Sequence, residues 1–127
     1  MSNTVTEGIR VQVKVSFWPE RSNAEAGQWA FAYTITISNE GPSAATLRTR
    51  HWLITDAAGH VEEVRGPGVV GKQPRLGPGE RFEYTSWAML RTPFGTMRGS
   101  YQLERDDHSM FDARIAEFAL AQPHAVN

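Results

Sequence analysis

Two stretches in the first third of the chain alternate apolar and polar residues with a period that only an extended backbone can use. Ile9, Val11, Val13, Val15 and Phe17 are interleaved with Arg10, Gln12, Lys14 and Ser16, and Trp29, Phe31, Tyr33, Ile35 and Ile37 with Ala30, Ala32, Thr34 and Thr36. In a strand successive side chains point to opposite faces, so each stretch offers one face to a core. Its aromatic and β-branched residues agree with that reading. Trp18-Pro19 closes the first stretch, because proline has no N–H for a ladder, and the polar run from Glu20 to Gly27 is expected to be a mobile connection.

The rest of the chain continues in the same style. Asn39-Glu40-Gly41-Pro42-Ser43 is a turn cluster, and Ala45 to Thr55 reads as a third strand whose phase is inconsistent. Trp52 and Ile54 share a face with Arg48 and Arg50, while Leu53 lies opposite, so either the strand carries a bulge or both faces are partly covered. Asp56-Ala57-Ala58-Gly59 turns into a short strand, His60 to Arg65; Phe82 and Tyr84 mark a fifth; Met97, Gly99, Tyr101 and Leu103 alternate through a sixth. In the last, Phe118 and Leu120 are out of phase with Phe111, Ala113 and Ile115, which predicts a bulge near Glu117, although Ala116 to Ala121 has room for one helical turn. About seven short strands without an amphipathic helix predict an all-β, immunoglobulin/fibronectin type III-like antiparallel β-sandwich. A chain of 127 residues suffices for one such core, so a single domain over 1–127 is expected, with 1–7 and 122–127 frayed.

Charge and cysteine usage narrow the function classes. Thirteen basic against fourteen acidic residues leave a net charge of −1, which gives no field to attract nucleic acid. Arg48, Arg50, Arg65, Lys72, Arg75 and Arg81 lie close in sequence and read as a solvated strand and loop surface. The absence of cysteine removes disulfides, thiolate metal sites and thiol nucleophiles, and suits a reducing compartment. With no basic-then-apolar leader at the start and only short apolar runs, a cytoplasmic protein without membrane insertion is expected.

Between the two strand-rich blocks lies a glycine- and proline-rich run, Gly66 to Gly79. Gly66, Gly68 and Gly71 satisfy G-x-G-x-x-G, and Gly66 to Lys72 satisfies the first seven positions of the P-loop pattern. Both mechanisms need a helix to open directly after the glycines, so that its free N–H groups meet the phosphates. Here Gln73-Pro74-Arg75-Leu76-Gly77-Pro78-Gly79 follows, a composition that forbids a sustained helix. The glycines are therefore expected to supply positive φ and close packing at a sandwich corner. The alternative reading is a phosphate, nucleotide or divalent-ion sensor: a nest of backbone N–H groups around Gly66, Gly68 and Gly71, with Lys72 and Arg75 nearby, or acidic side chains holding Co²⁺ or Mg²⁺.

No catalytic constellation is visible. His60 with Glu62 and Glu63, and Asp106-Asp107-His108, carry ligand-type side chains without metal-motif spacing and read as polar turn residues. Ser86 lacks the G-x-S-x-G elbow and the carboxylates are scattered, so no enzyme, cofactor or metal is expected. Large apolar side chains near turns are the remaining signal: Trp18, Trp87, Met89, Leu90 and Phe94 are more than a small sandwich readily covers. Trp87, Met89 and Leu90 form the candidate partner surface, and a protein is the expected partner.

Phe31 to Ile37, Trp52-Leu53-Ile54-Thr55-Asp56, Gly66-Pro67-Gly68-Val69-Val70-Gly71, Pro78-Gly79-Glu80, Phe82 to Ser86 and Thr92 to Tyr101 resemble the bacterial ApaG family, in order and across nearly the whole chain. The resemblance implies a fibronectin type III-like sandwich. Bacterial members are associated genetically with cobalt resistance and magnesium efflux and lie near genes for dinucleoside polyphosphate hydrolysis. Related domains in eukaryotic F-box and DNA-polymerase-delta-interacting proteins look like protein-interaction modules. Two positions depart from the family pattern: Pro67, where an acidic residue is frequent, and Trp87, where glycine is usual. The first weakens a metal role for the glycine run; the second enlarges the apolar surface.

Overall fold

The structure, a computed structural model, describes residues 1–123. Nine strands run in chain order: β1 Ser2–Thr6, β2 Ile9–Phe17, β3 Trp29–Asn39, β4 Ala45–Asp56, β5 Val61–Pro67, β6 Arg75–Leu76, β7 Arg81–Leu90, β8 Phe94–Arg105 and β9 Met110–Ala121. They form two antiparallel sheets, β1-β2-β3-β7 and β5-β4-β8-β9, with the two-residue β6 paired to β4. The inner faces of the two sheets make the core. Ile9, Val11, Val13, Phe31, Ile35 and Ile37 line one side, and Leu47, Trp52, Met97, Leu103, Ile115 and Leu120 the other.

Both phase conflicts in the sequence are bulges. In β4 the register slips between Leu47 and Thr49 against β8, so Leu47, Arg50 and Trp52 all face inward although an odd step separates Leu47 from Arg50. In β9 Ile115 pairs with Gly99 and Phe118 with Met97, so Ala116 and Glu117 together oppose Arg98 and both apolar neighbours stay in the core. Ala116 to Ala121 is strand throughout, not a helical turn.

The N-terminal segment is a correction. Ser2–Thr6 is not frayed but pairs along its length with β2, Ser2 opposite Val13 and Thr6 opposite Ile9. Its half-buried positions, Ser2, Thr4 and Thr6, carry hydroxyls, so the strand has no apolar period to read. The connection from Glu20 to Gly27 is likewise ordered, as two single helical turns, Pro19–Arg21 and Ala24–Ala26. Ser22 Oγ donates to the Trp18 carbonyl at 2.9 Å and accepts from the Ala30 N–H at 2.8 Å, and Asn23 Oδ1 accepts from the Ala26 N–H. At the other end Gln122 is tied down, its N–H on the Pro93 carbonyl and its Oε1 accepting from Trp29 Nε1 at 3.1 Å. Residues 124–127 lie outside the described residues.

The two edges of the sandwich differ. On one, β1 packs against β9, and Thr6 Oγ1 accepts from the Arg114 N–H. On the other, β7 is an edge strand and faces the glycine-rich run that follows β5. That run is held at several points. Gln73 Nε2 donates to the Arg48 carbonyl, the Pro74 carbonyl accepts from the Leu47 N–H, and buried Asn39 donates to the Leu76 carbonyl at 2.9 Å.

Candidate functional site

The glycine-rich run is a bend, closed by two backbone hydrogen bonds of its own and tied to β4 by a third. The Gly68 N–H donates to the Arg48 carbonyl at 2.8 Å, the Val69 N–H to the Lys72 carbonyl at 2.8 Å, and the Lys72 N–H returns to the Val69 carbonyl at 2.9 Å. Gly68, Val70 and Gly71 have φ of 59°, 44° and 79°, the left-handed region that lets four residues reverse direction. Val69 turns inward and is wholly buried, whereas Val70 stands exposed at the lip. A Cβ on Gly68 would overlap the Lys72 carbonyl, so that glycine is a steric requirement of the turn.

Gly66 serves a different need. It lies opposite Arg50 in the β4–β5 register, on the inner face, and a Cβ there would come within 2.9 Å of the guanidinium. The β4 bulge turns Arg50 inward, Gly66 leaves room for its head, and Arg50 Nη1 donates at 2.9 Å to both the Pro67 and Gly68 carbonyls. An inward-facing arginine thus seats the glycine-rich run.

Between this run and β7 is a cleft of about 340 Å³. Tyr33, Arg50, Trp52, Tyr84, Ser86 and Val70 are among its walls. Tyr33 and Ser86 are opposite one another in the β3–β7 register, and the Tyr84 and Tyr101 hydroxyls hydrogen-bond to each other. Burial pushes all three tyrosines above the ordinary phenol range; the Arg50 charge pulls each the other way without offsetting it. Trp52 packs against Tyr33, Tyr101 and Phe118 at centroid distances of 5.6, 6.5 and 5.9 Å, which fixes the inner wall.

The partner-surface residues fall into two groups. Trp87 and Met89 are 56% and 39% exposed on the outer face of β7, and Trp87 meets Trp18 edge-on at 6.5 Å, with the Arg21 guanidinium 5.4 Å over the Trp18 ring. Leu90 is a correction: it is only 3% exposed and belongs to the core, because strand alternation sends it inward with Ala88 and Tyr84. A shallow groove of about 430 Å³ runs beside Trp87, between Phe17, Trp18 and Ala32.

The basic residues do not make one patch. Arg75 pairs with Asp106 at 2.5 Å, Arg48 with Glu104 at 2.7 Å and Arg65 with Glu63 at 3.3 Å, while Lys72 is exposed on the bend. The ligand-type clusters are similarly divided. The Arg75 guanidinium holds the Asp106 carboxyl below its usual range, and the Asp107 carboxylate caps Ser109. His108 bonds Glu104, and Glu63 accepts from His51 at 2.6 Å on the face of β5 opposite Glu62. Among the described residues no helix is long and apolar enough to cross a membrane.

The family described as ApaG domain matches residues 19–105. The chain belongs to the ApaG family. It is 54% identical over 127 residues to Protein ApaG of Anaeromyxobacter dehalogenans, covering 100% of both chains. With Protein ApaG of Ralstonia nicotianae it shares 55% identity over 119 residues, 94% of this chain and 96% of the relative. The crystal structure of a Bordetella pertussis protein described as ApaA superposes with a TM-score of 0.88 at 50% identity, covering 91% of this chain and 94% of that one. The sandwich and the ApaG resemblance read from the sequence are thus both borne out. Arg50, read from the sequence as part of a solvated surface, instead turns into the cleft; its in-phase spacing with Trp52 and Ile54 was the available signal.

Proposed function

We propose that this ApaG protein is a non-enzymatic, cytoplasmic protein-interaction module that presents the outer face and free edge of β7 to a partner polypeptide. The observation that carries this reading is Trp87, more than half exposed on an edge strand beside Met89 and Trp18. An exposed tryptophan costs free energy in water, and aromatic anchors dominate protein interfaces. An edge strand adds unpaired peptide groups along which an extended segment can dock. The family association with cobalt resistance and magnesium efflux then acts through the partner rather than through ion ligation by this chain.

The test is affinity capture with the purified chain at near-physiological salt, in parallel with a Trp87→Ser/Met89→Ser variant. The expected result is a partner retained by the parent and lost by the variant, both having the same melting temperature. Repeated failure to recover a partner, or equal recovery by both, overturns the proposal.

A further inference from the structure

The interaction reading makes no use of the cleft on the inner side of β7, and the chemistry there is of another kind. Arg50 is turned between the sheets, and among the described residues no carboxylate lies within ion-pair distance of it. Its Nη1 hydrogens are occupied by the Pro67 and Gly68 carbonyls, but Nε and Nη2 have no protein partner among the described residues. A guanidinium stays charged at any pH a protein experiences and carries five donors in a planar fork. Two backbone carbonyls supply only partial negative charge, so an inward-facing arginine is left with surplus charge and three unused donors.

What faces it is complementary. No acidic side chain lines the cleft, and Ser86 and Tyr33 bring hydroxyls to the opposite wall. Trp52 supplies a rigid apolar surface and Val70 an exposed apolar lip. At about 340 Å³ the space lies at the lower end of small-molecule sites, which span roughly 300–1,000 Å³. That is room for a small organic acid or a phosphate monoester, not for a nucleoside triphosphate.

We infer that the cleft between β7 and the glycine-rich run is a binding site for a small oxyanion, with Arg50 as its charge partner, Ser86 and Tyr33 as hydroxyl donors, and Trp52 and Val70 holding the ligand's apolar remainder. Of the three fingerprint glycines only Gly71 borders the cleft; Gly66 leaves room for the Arg50 guanidinium, and the Gly68 carbonyl accepts from it.

The test is an NMR titration that follows the Arg50 Nε–H and the Ser86 amide with two probes, inorganic phosphate and benzoate. The site predicts saturable shifts at both resonances with at least one probe at concentrations up to about 10 mM. Saturation by phosphate alone assigns the ligand to phosphate compounds, and by benzoate alone to organic acids. Saturation by both supports the shared oxyanion chemistry. Replacing Arg50 also loosens the bend, so the discriminating variant is Tyr33→Phe/Ser86→Ala, which leaves the Arg50 anchors in place. It is expected to keep the parent fold and weaken binding by about tenfold, the scale of a hydrogen bond to a charged group. No saturable shift with either probe, or equal affinity in parent and variant, overturns the inference.

Discussion

Alanine at position 68 measures how much of the glycine-rich bend is steric necessity. Gly68 has φ of 59°, and its added Cβ would overlap the Lys72 carbonyl and lie 3.3 Å from Gln73 Cγ. Gly71 is the internal control, with φ of 79° and nothing within 4 Å of a Cβ. Left-handed backbone costs a non-glycine residue about 1–2 kcal/mol, and both variants carry that term. At 68 the overlap must also be relieved by opening the turn, which breaks the two Val69–Lys72 backbone bonds, each worth about 0.5–1.5 kcal/mol net. It also disturbs Val69, whose full burial contributes about 1.5–3 kcal/mol. Gly71→Ala should therefore cost about 1 kcal/mol and Gly68→Ala about 3 kcal/mol or more. In melting temperature this is a drop of roughly 4 °C against about 12 °C for a domain of this size. Urea unfolding followed by tryptophan fluorescence, with a thermal melt, reads both. Equal costs within about 0.5 kcal/mol would refute the steric argument.

Two further outcomes follow from the core and the cleft. Tyr33, Tyr84 and Tyr101 are the only tyrosines, and all three are raised, so their stabilising effect is complete below the unfolded phenol value near 10 and is lost as pH climbs above it. Tyrosinate absorbance should stay silent where free tyrosine is half ionised and then appear in one step with unfolding; gradual ionisation near pH 10 in a native protein contradicts the burial. Leu90→Ala should cost about 2–5 kcal/mol and Met89→Ala well under 1 kcal/mol, despite their adjacency, in the same urea assay. A reversed order would contradict the facing of β7.

Strand number and facing were largely legible in the sequence because the apolar period is strict in β2 and β3 and because each break in period marked a bulge. Ile115 and Phe118 could not face one core without an extra residue between them, and in β4, where Arg48 and Arg50 fell in phase with Trp52, the extra residue is Arg48. Segments without an apolar period escaped: β1 carries hydroxyls on its covered side, and β6 is too short to have a period. Leu90 was misplaced although alternation from Tyr84 assigns it inward; its closeness to a turn outweighed its phase. The candidate site was legible only in part. Prolines after Gly71 excluded a helix, but the task of Gly66 depends on a guanidinium sixteen positions earlier that no local pattern brings to it.

Amide hydrogen exchange across the bend addresses the central claim, that the Gly68, Val69 and Lys72 N–H groups of the glycine fingerprint are already taken by backbone carbonyls. Gly68, Val69 and Lys72 amides should exchange far more slowly than in an unfolded chain, and pyrophosphate or ATP should leave their rates unchanged. Free exchange at these three amides that becomes slow when pyrophosphate is added would contradict it.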